Sequence, residues 1–167
     1  MTRVQLLLFA AGVGVADLLT KLLIVERLPI GIVRPVIDGW FSIVPFRNPG
    51  AAFGLGAALG HALPWLLTGA SAIIAAVVLV SAFRTSLSDQ WTQIGLHLVL
   101  GGAFGNIVNR LTLGPVVDFL DVYVRTASGE HHWPAFNVAD SSICIGIGVL
   151  LLASWRQPSA ARREGLA

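Results

Sequence analysis

Charge is scarce in this sequence. Asp, Glu, Lys and Arg make up 12% of its 167 residues, about half of the roughly 25% that a soluble domain carries. Too few charges remain to coat a water-facing surface, which argues against a soluble globular protein. Cysteine is nearly absent. The single Cys144 rules out an internal disulfide framework and any multi-cysteine metal site. His131 and His132 are adjacent, and no HExxH or similar ligand spacing occurs, so no metal and no other cofactor is expected. No GxSxG motif is present, and Cys144 has no histidine near it in sequence, which argues against serine and thiol nucleophiles. The net charge is +2, and the basic residues form no stripe, which argues against a nucleic-acid partner. What abounds is apolar: 55% of the residues, with a mean hydropathy of +0.77. Together with the length, this points to a single polytopic membrane domain over residues 1–167.

A spanning helix needs about 20 mostly apolar residues, and four stretches supply them: 4–25, 63–83, 94–113 and 137–155. Gly and Ala are frequent in all four, as where helices pack closely in lipid. A cleaved signal peptide would use Arg3 as its basic start and Ala10-Ala11-Gly12 as its small-residue end. The apolar pattern runs on to Val25 and three further spans follow, so a retained span is expected.

Four spans put both termini on one side. Arg3, Arg84, Arg156, Arg162 and Arg163 lie in the shorter segments close to span ends, so that side is expected to be cytoplasmic. Residues 26–62 and 114–136 then face outward. Val33 to Val44, with a turn at Asp38-Gly39, reads as a small hairpin that could cradle a substrate. Gly50 to Leu63 reads as a short interfacial helix or lid. Val116 to Val124 is strand-like, Ser128-Gly129 is a turn signal, and the tail after Arg156 is expected to fray.

Ionisable groups inside a span cost about 2.5–3.5 kcal/mol each for Asp or Lys. Asp17 and Lys21 are spaced i, i+4 and share a helix face, so they can neutralise one another; alternatively they brace the first helix against a polar site. Asn106 and Asn109 share a face at the outer end of the third span, beside Arg110 and after Gly101, Gly102 and Gly105. The glycines read first as a packing seam, whereas Asn in hydrocarbon needs partners. Asp140 follows Asn137 by three residues, which suits ordinary helix capping. Asp118 is embedded in the apolar run Val116-Val117-Asp118-Phe119-Leu120.

Topology links the last two acids. The third and fourth spans are antiparallel and joined by residues 114–136, so Asp118 and Asp140 lie at the same membrane face. Neighbouring carboxylates share a proton because both cannot ionise cheaply. One can then act as base towards water while the other donates to a carbonyl, which suits peptide hydrolysis without a covalent intermediate. A proton- or ion-coupled transporter subunit is the alternative, since intramembrane Asp and Lys also fit that class.

Five stretches resemble the motifs of the lipoprotein signal peptidases (signal peptidase II): Asp17-Leu18-Leu19-Thr20-Lys21, Asn48-Pro49-Gly50-Ala51-Ala52-Phe53, Gly101 to Arg110, Val116-Val117-Asp118-Phe119, and Phe136-Asn137-Val138-Ala139-Asp140. They occur in the family's order. Asn109 stands where the family usually has Asp. The resemblance implies an all-α membrane protein of four transmembrane helices with a small periplasmic β-hairpin or cradle and a short interfacial helix. It implies an aspartic endopeptidase that removes signal peptides from bacterial prolipoproteins, just before a cysteine carrying diacylglycerol. Asp118 and Asp140 would be catalytic. Asn48, Gly50, Asn106, Asn109, Arg110, Asn137, Asp17 and Lys21 would support the site or bind substrate. The expected setting is the bacterial cytoplasmic (inner) membrane, with the site towards the periplasmic leaflet, membrane lipids as neighbours, a monomeric state and sensitivity to globomycin-type inhibitors.

Overall fold

The computed structural model describes residues 1–50 and 60–156. Its elements run α1 (Arg3–Arg27), β1 (Arg34–Ile37), β2 (Phe41–Asn48), a 3₁₀ turn (Gly60–Ala62), α2 (Leu63–Arg84), α3 (Gln90–Leu113), β3 (Val116–Thr126), β4 (Gly129–His132) and α4 (Val138–Arg156). Most of the expected interfacial helix, at 51–59, and the tail after Arg156 lie outside the described residues.

The helices start where local chemistry closes their ends. Thr2 and Gln5 form a reciprocal capping box on α1, satisfying two backbone donors that a helix start otherwise leaves bare. The Asp89 carboxylate accepts from Thr92 N–H and starts α3 at Gln90, four residues before the apolar run that marks it in the sequence. The extra turn is tied down by Gln93, which is buried and donates to the Ala82 and Thr85 carbonyls at the end of α2.

Among the described residues, α1, α2 and α4 are long and apolar enough to cross a membrane. They expose large apolar side chains such as Leu8, Leu19, Ile73, Val77, Ile145 and Leu151, the surface a helix offers to lipid. Trp40, Trp65, Trp91, Trp133 and Trp155 are also exposed, near helix ends or in the segments between helices, as interfacial anchors are.

α3 differs. It is the hub, packing against α1, α2 and α4, and its buried residues include His97, Gly101, Gly102, Gly105, Asn106 and Asn109. Close approach is what its glycines provide. A Cβ at Gly102 would collide with the Ala139 carbonyl oxygen of α4, and one at Gly105 would lie 2.7 Å from Asp17 Oδ2 of α1.

Between the helices the chain builds an antiparallel sheet of order β1-β2-β3-β4, larger than the expected hairpin. The segment between α1 and α2 pairs with the one between α3 and α4 through β2 and β3, a long-range contact with no local signal. Ile43 pairs with Leu120 and Phe46 with Asp118. Val44 and Pro45 therefore oppose Phe119 alone, which makes a β-bulge beside Asp118. Such bulges re-aim neighbouring side chains, and Pro45, lacking an N–H, is suited to one.

Candidate active site

Asp118 is the third residue of β3 and is 2% exposed. Both its oxygens accept from amides: Oδ2 from Asn48 Nδ2 at 2.9 Å, and Oδ1 from Asn137 Nδ2 at 2.7 Å. Asn48 is itself braced, because its Oδ1 accepts from Gly50 N–H at 2.8 Å. Gly50 has φ +94°, and a Cβ there would collide with Leu67, so the turn closes only with glycine.

Asp140 is half-buried in the first turn of α4. Its Oδ1 accepts from Asn106 Nδ2 at 2.8 Å, and its Oδ2 from the Asn137 backbone N–H at 3.3 Å. Asn137 Oδ1 in return accepts from Asp140 N–H at 2.9 Å. Asn137 and Asp140 thus form a reciprocal cap, while the other end of the same amide holds Asp118. Helix capping and site assembly are one arrangement here.

Asp17 and Lys21 are fully buried and paired at 2.7 Å. They also reach the site: Lys21 Nζ donates to Asn106 Oδ1 at 2.9 Å, and Asp17 Oδ1 accepts from Ala139 N–H at 2.9 Å. One asparagine therefore joins the Asp17–Lys21 pair to Asp140. Asp17 also satisfies a free donor in the first turn of α4.

Two expected support residues make their hydrogen bonds to groups other than the two acids. Asn109 is fully buried but holds the entry to β3, donating to the Pro115 carbonyl at 3.2 Å and accepting from Val117 N–H at 3.1 Å. It fixes the backbone next to Asp118 without bonding to either carboxylate. Arg110 donates to Ser71 Oγ of α2 at 3.4 Å and likewise bonds to neither acid. His97 is buried, with Nδ1 against the Gln93 carbonyl, and Cys144 is exposed.

The electrostatics of Asp118 follow from its burial. Burial pushes the Asp118 carboxyl up to about 6, against the hydrogen bond from Asn48; the nearby Asp140 charge pushes it the same way, and Asn137 and Lys21 oppose. A buried carboxyl beside a second acid is the setting in which a proton is retained near neutral pH.

Two features have no place in the sequence reading. Residues 133–136 form a strap that returns along β3: Phe136 exchanges hydrogen bonds with Leu120, its carbonyl also accepts from Phe119 N–H, and Trp133 N–H donates to Val122. The strap ends at Asn137. Beside it opens a groove of about 550 Å³ lined by Val33, Val44, Phe46, Asn48 and Trp133 to Ala135, with Asp121 and His132 at its polar part. A second acid in Phe119-Leu120-Asp121-Val122-Tyr123 was the available signal, because an acid within a strand-like apolar run needs a partner. No group of three or more His, Cys, Asp or Glu side chains able to hold a metal ion occurs among the described residues.

The model of the signal peptidase (SPase) II family matches residues 9–156. A lipoprotein signal peptidase of Syntrophotalea carbinolica is 46% identical over 152 residues, covering 90% of this chain and 91% of that protein. One from Geobacter sulfurreducens is 42% identical over 147 residues, covering 87% and 88%. Among solved structures, a bacterial membrane enzyme determined by the in meso method at 2.3 Å superposes with a TM-score of 0.79 at 29% identity, covering 94% of this chain and 91% of that one. A family match over nearly the whole helical and sheet region, with relatives aligned across most of their own length, means that this chain belongs to the signal peptidase II family.

Proposed function

We propose that this membrane-embedded bacterial protease removes signal peptides from diacylglyceryl-modified prolipoproteins, with Asp118 and Asp140 as its water-activating pair. Protease activity and signal-peptide removal follow from the family. The observation that carries the pair is Asn137, which bonds to Asp118 and Asp140 at once. Asp118, buried and raised to about 6, suits the protonated role. Asp140, half-buried and within reach of water, suits the base.

In this scheme Asp118 donates its proton to the scissile carbonyl oxygen while Asp140 takes one from the attacking water, giving a neutral gem-diol. Asp140 then passes its proton to the leaving amine, and Asp118 recovers one from a diol hydroxyl as the C–N bond breaks. The products are the signal peptide's carboxyl terminus and a free amino group on the lipid-bearing cysteine. Lys21 and the asparagines hold the acids without joining the proton transfers.

Four helices cross the bilayer in this reading. α3, with 24 residues at 1.5 Å each, is long enough for a core of about 30 Å. Arg3, at the start of α1, donates to the Ala82 and Phe83 carbonyls at the end of α2. That end, with Arg84 and Arg156, suits the cytoplasmic side. The sheet and the acids then face the outer leaflet, where a lipid-modified substrate can arrive laterally. The transporter-subunit alternative has no support from the family.

Cleavage of a lipid-modified prolipoprotein by the purified protein is the test. Asp118→Asn and Asp140→Asn should each lower turnover roughly 10²- to 10⁴-fold while the protein stays folded; near-normal turnover by either would remove the pair. The pH profile assigns the roles. As pH rises through about 6, Asp118 loses the proton it must donate, so kcat/KM should fall on the alkaline side. A profile that instead rises through 6 and then levels would make Asp118 the base.

A further inference from the structure

We propose that Asp121 and His132 form a positioning pair for this reaction, anchoring the 133–136 strap and through it the placement of Asn137. The proposal rests on the reading of Asn137 as the link between the two acids. His132 Nδ1 sits 2.9 and 3.1 Å from the two oxygens of Asp121. The His132 ring stacks on Tyr123 at 5.0 Å between centroids and 14° between planes. Asp121 is 6% exposed, and its side-chain partner among the described residues is His132. Immediately after His132 the chain leaves β4 and becomes the strap, four residues that end at Asn137.

The strap is held at two further points, by Trp133 N–H to Val122 and by the Phe136 exchange with Leu120. Its Pro134 lacks an N–H, and Ala135 makes no bond to β3, so the middle spans without support. Pinning at the His132 end therefore fixes where the strap begins, and the Phe136 exchange carries that placement to Asn137. Small displacements matter there, because Asn137 must satisfy Asp118 and cap α4 at the same time.

The charged groups around His132 are Asp121 on β3 and Glu130 on β4, whose Oε2 lies 3.5 Å from Nε2. Arg125 binds Glu130 and Asp38. His131 faces Ser128 and is turned away. The hydrogen bond to Asp121 holds the His132 imidazolium above its ordinary value. When the proton is lost, Nδ1–H can still serve Asp121, but the bare Nε2 then meets the Glu130 carboxylate, so the anchor weakens at alkaline pH.

The test uses the full chain in lipid nanodiscs, reading cleavage of a lipid-modified prolipoprotein and, without substrate, amide hydrogen exchange at Trp133 and Phe136. His132→Ala should lower kcat roughly 10- to 100-fold with KM little changed, and should lower protection at both amides. His132→Asn, whose amide N–H can stand where Nδ1–H did, should restore both and abolish the alkaline loss of protection. If the alanine variant does not fold, Asp121→Asn decides, because it keeps an acceptor but no charge and should show the same losses in milder form. Unchanged protection and kcat in these variants would overturn the proposal. So would a raised KM with unchanged kcat, which would make the pair a direct substrate contact. Since exchange is read without substrate, anchoring is judged separately from the acids: turnover surviving in Asp118→Asn would sink the catalytic pair while leaving the strap result standing.

Discussion

α2 and α3 are neighbours of similar length and opposite character. α2 is apolar on every side and mostly exposed, and its hydrogen bonds with α3 are those of Ser71 with Arg110 and of the Ala82 carbonyl with Gln93. α3 is not among the helices apolar enough to qualify as a span, yet it is the hub and carries Asn106 and Asn109. A helix facing lipid must be hydrophobic all round. A helix surrounded by other helices is released from that demand and can hold amides and glycines. Weak hydropathy inside a membrane protein is therefore a sign of position, and here the amides of Asn106 and Asn109 sit on the helix with the most buried residues.

That contrast can be broken most severely through the Asp17–Lys21 pair, which ties α1 to α3. Asp17→Ala strands Lys21 among buried groups and should destabilise by about 3–5 kcal/mol, read as loss of folded protein on thermal unfolding in detergent. Asp17→Ala with Lys21→Leu should recover part of that loss. A double variant that folds well yet is as inactive as Asp118→Asn would instead give the pair a direct part in the chemistry.

A milder probe compares glycines. Gly102→Ala drives a methyl into the Ala139 carbonyl, and overpacking of this kind costs typically 1–3 kcal/mol. Gly69 in α2 has nothing within 4 Å of its would-be Cβ, so Gly69→Ala should change stability by less than about 1 kcal/mol, in the stabilising direction. Equal effects at the two positions, measured in the same unfolding assay, would show that α3 is no more tightly packed than α2.

The Asp17–Lys21 pair was legible because i, i+4 spacing fixes it within one helix. Asp118 and Asp140 could be set at one membrane face because consecutive antiparallel helices leave no other choice. The bond from Asn106 to Asp140 was not legible, since it depends on how α3 and α4 rotate against each other. The pairing of β2 with β3 lies beyond local pattern too, and so does the bulge it creates beside Asp118. Asn109 and Asn106 share a helix face, and spacing predicts common work for them. The structure divides the work, because the chain turns into β3 just above Asn109 and presents it with bare backbone groups to satisfy. His132 carries no local sign of its role, because its partner Asp121 lies eleven residues away across a strand pair.

Asn137 and Asp140 arrive together at the start of α4, and Asp17 receives the Ala139 N–H only when that helix has docked. Before then Asp118 lacks one of its two amide donors and has no second acid beside it. With Asp118 and Asp140 as the proposed pair, a chain whose α4 has not docked holds an incomplete site. On the proposed assignment the order of the chain works as a safety catch, because the site is completed only by the last helix to dock.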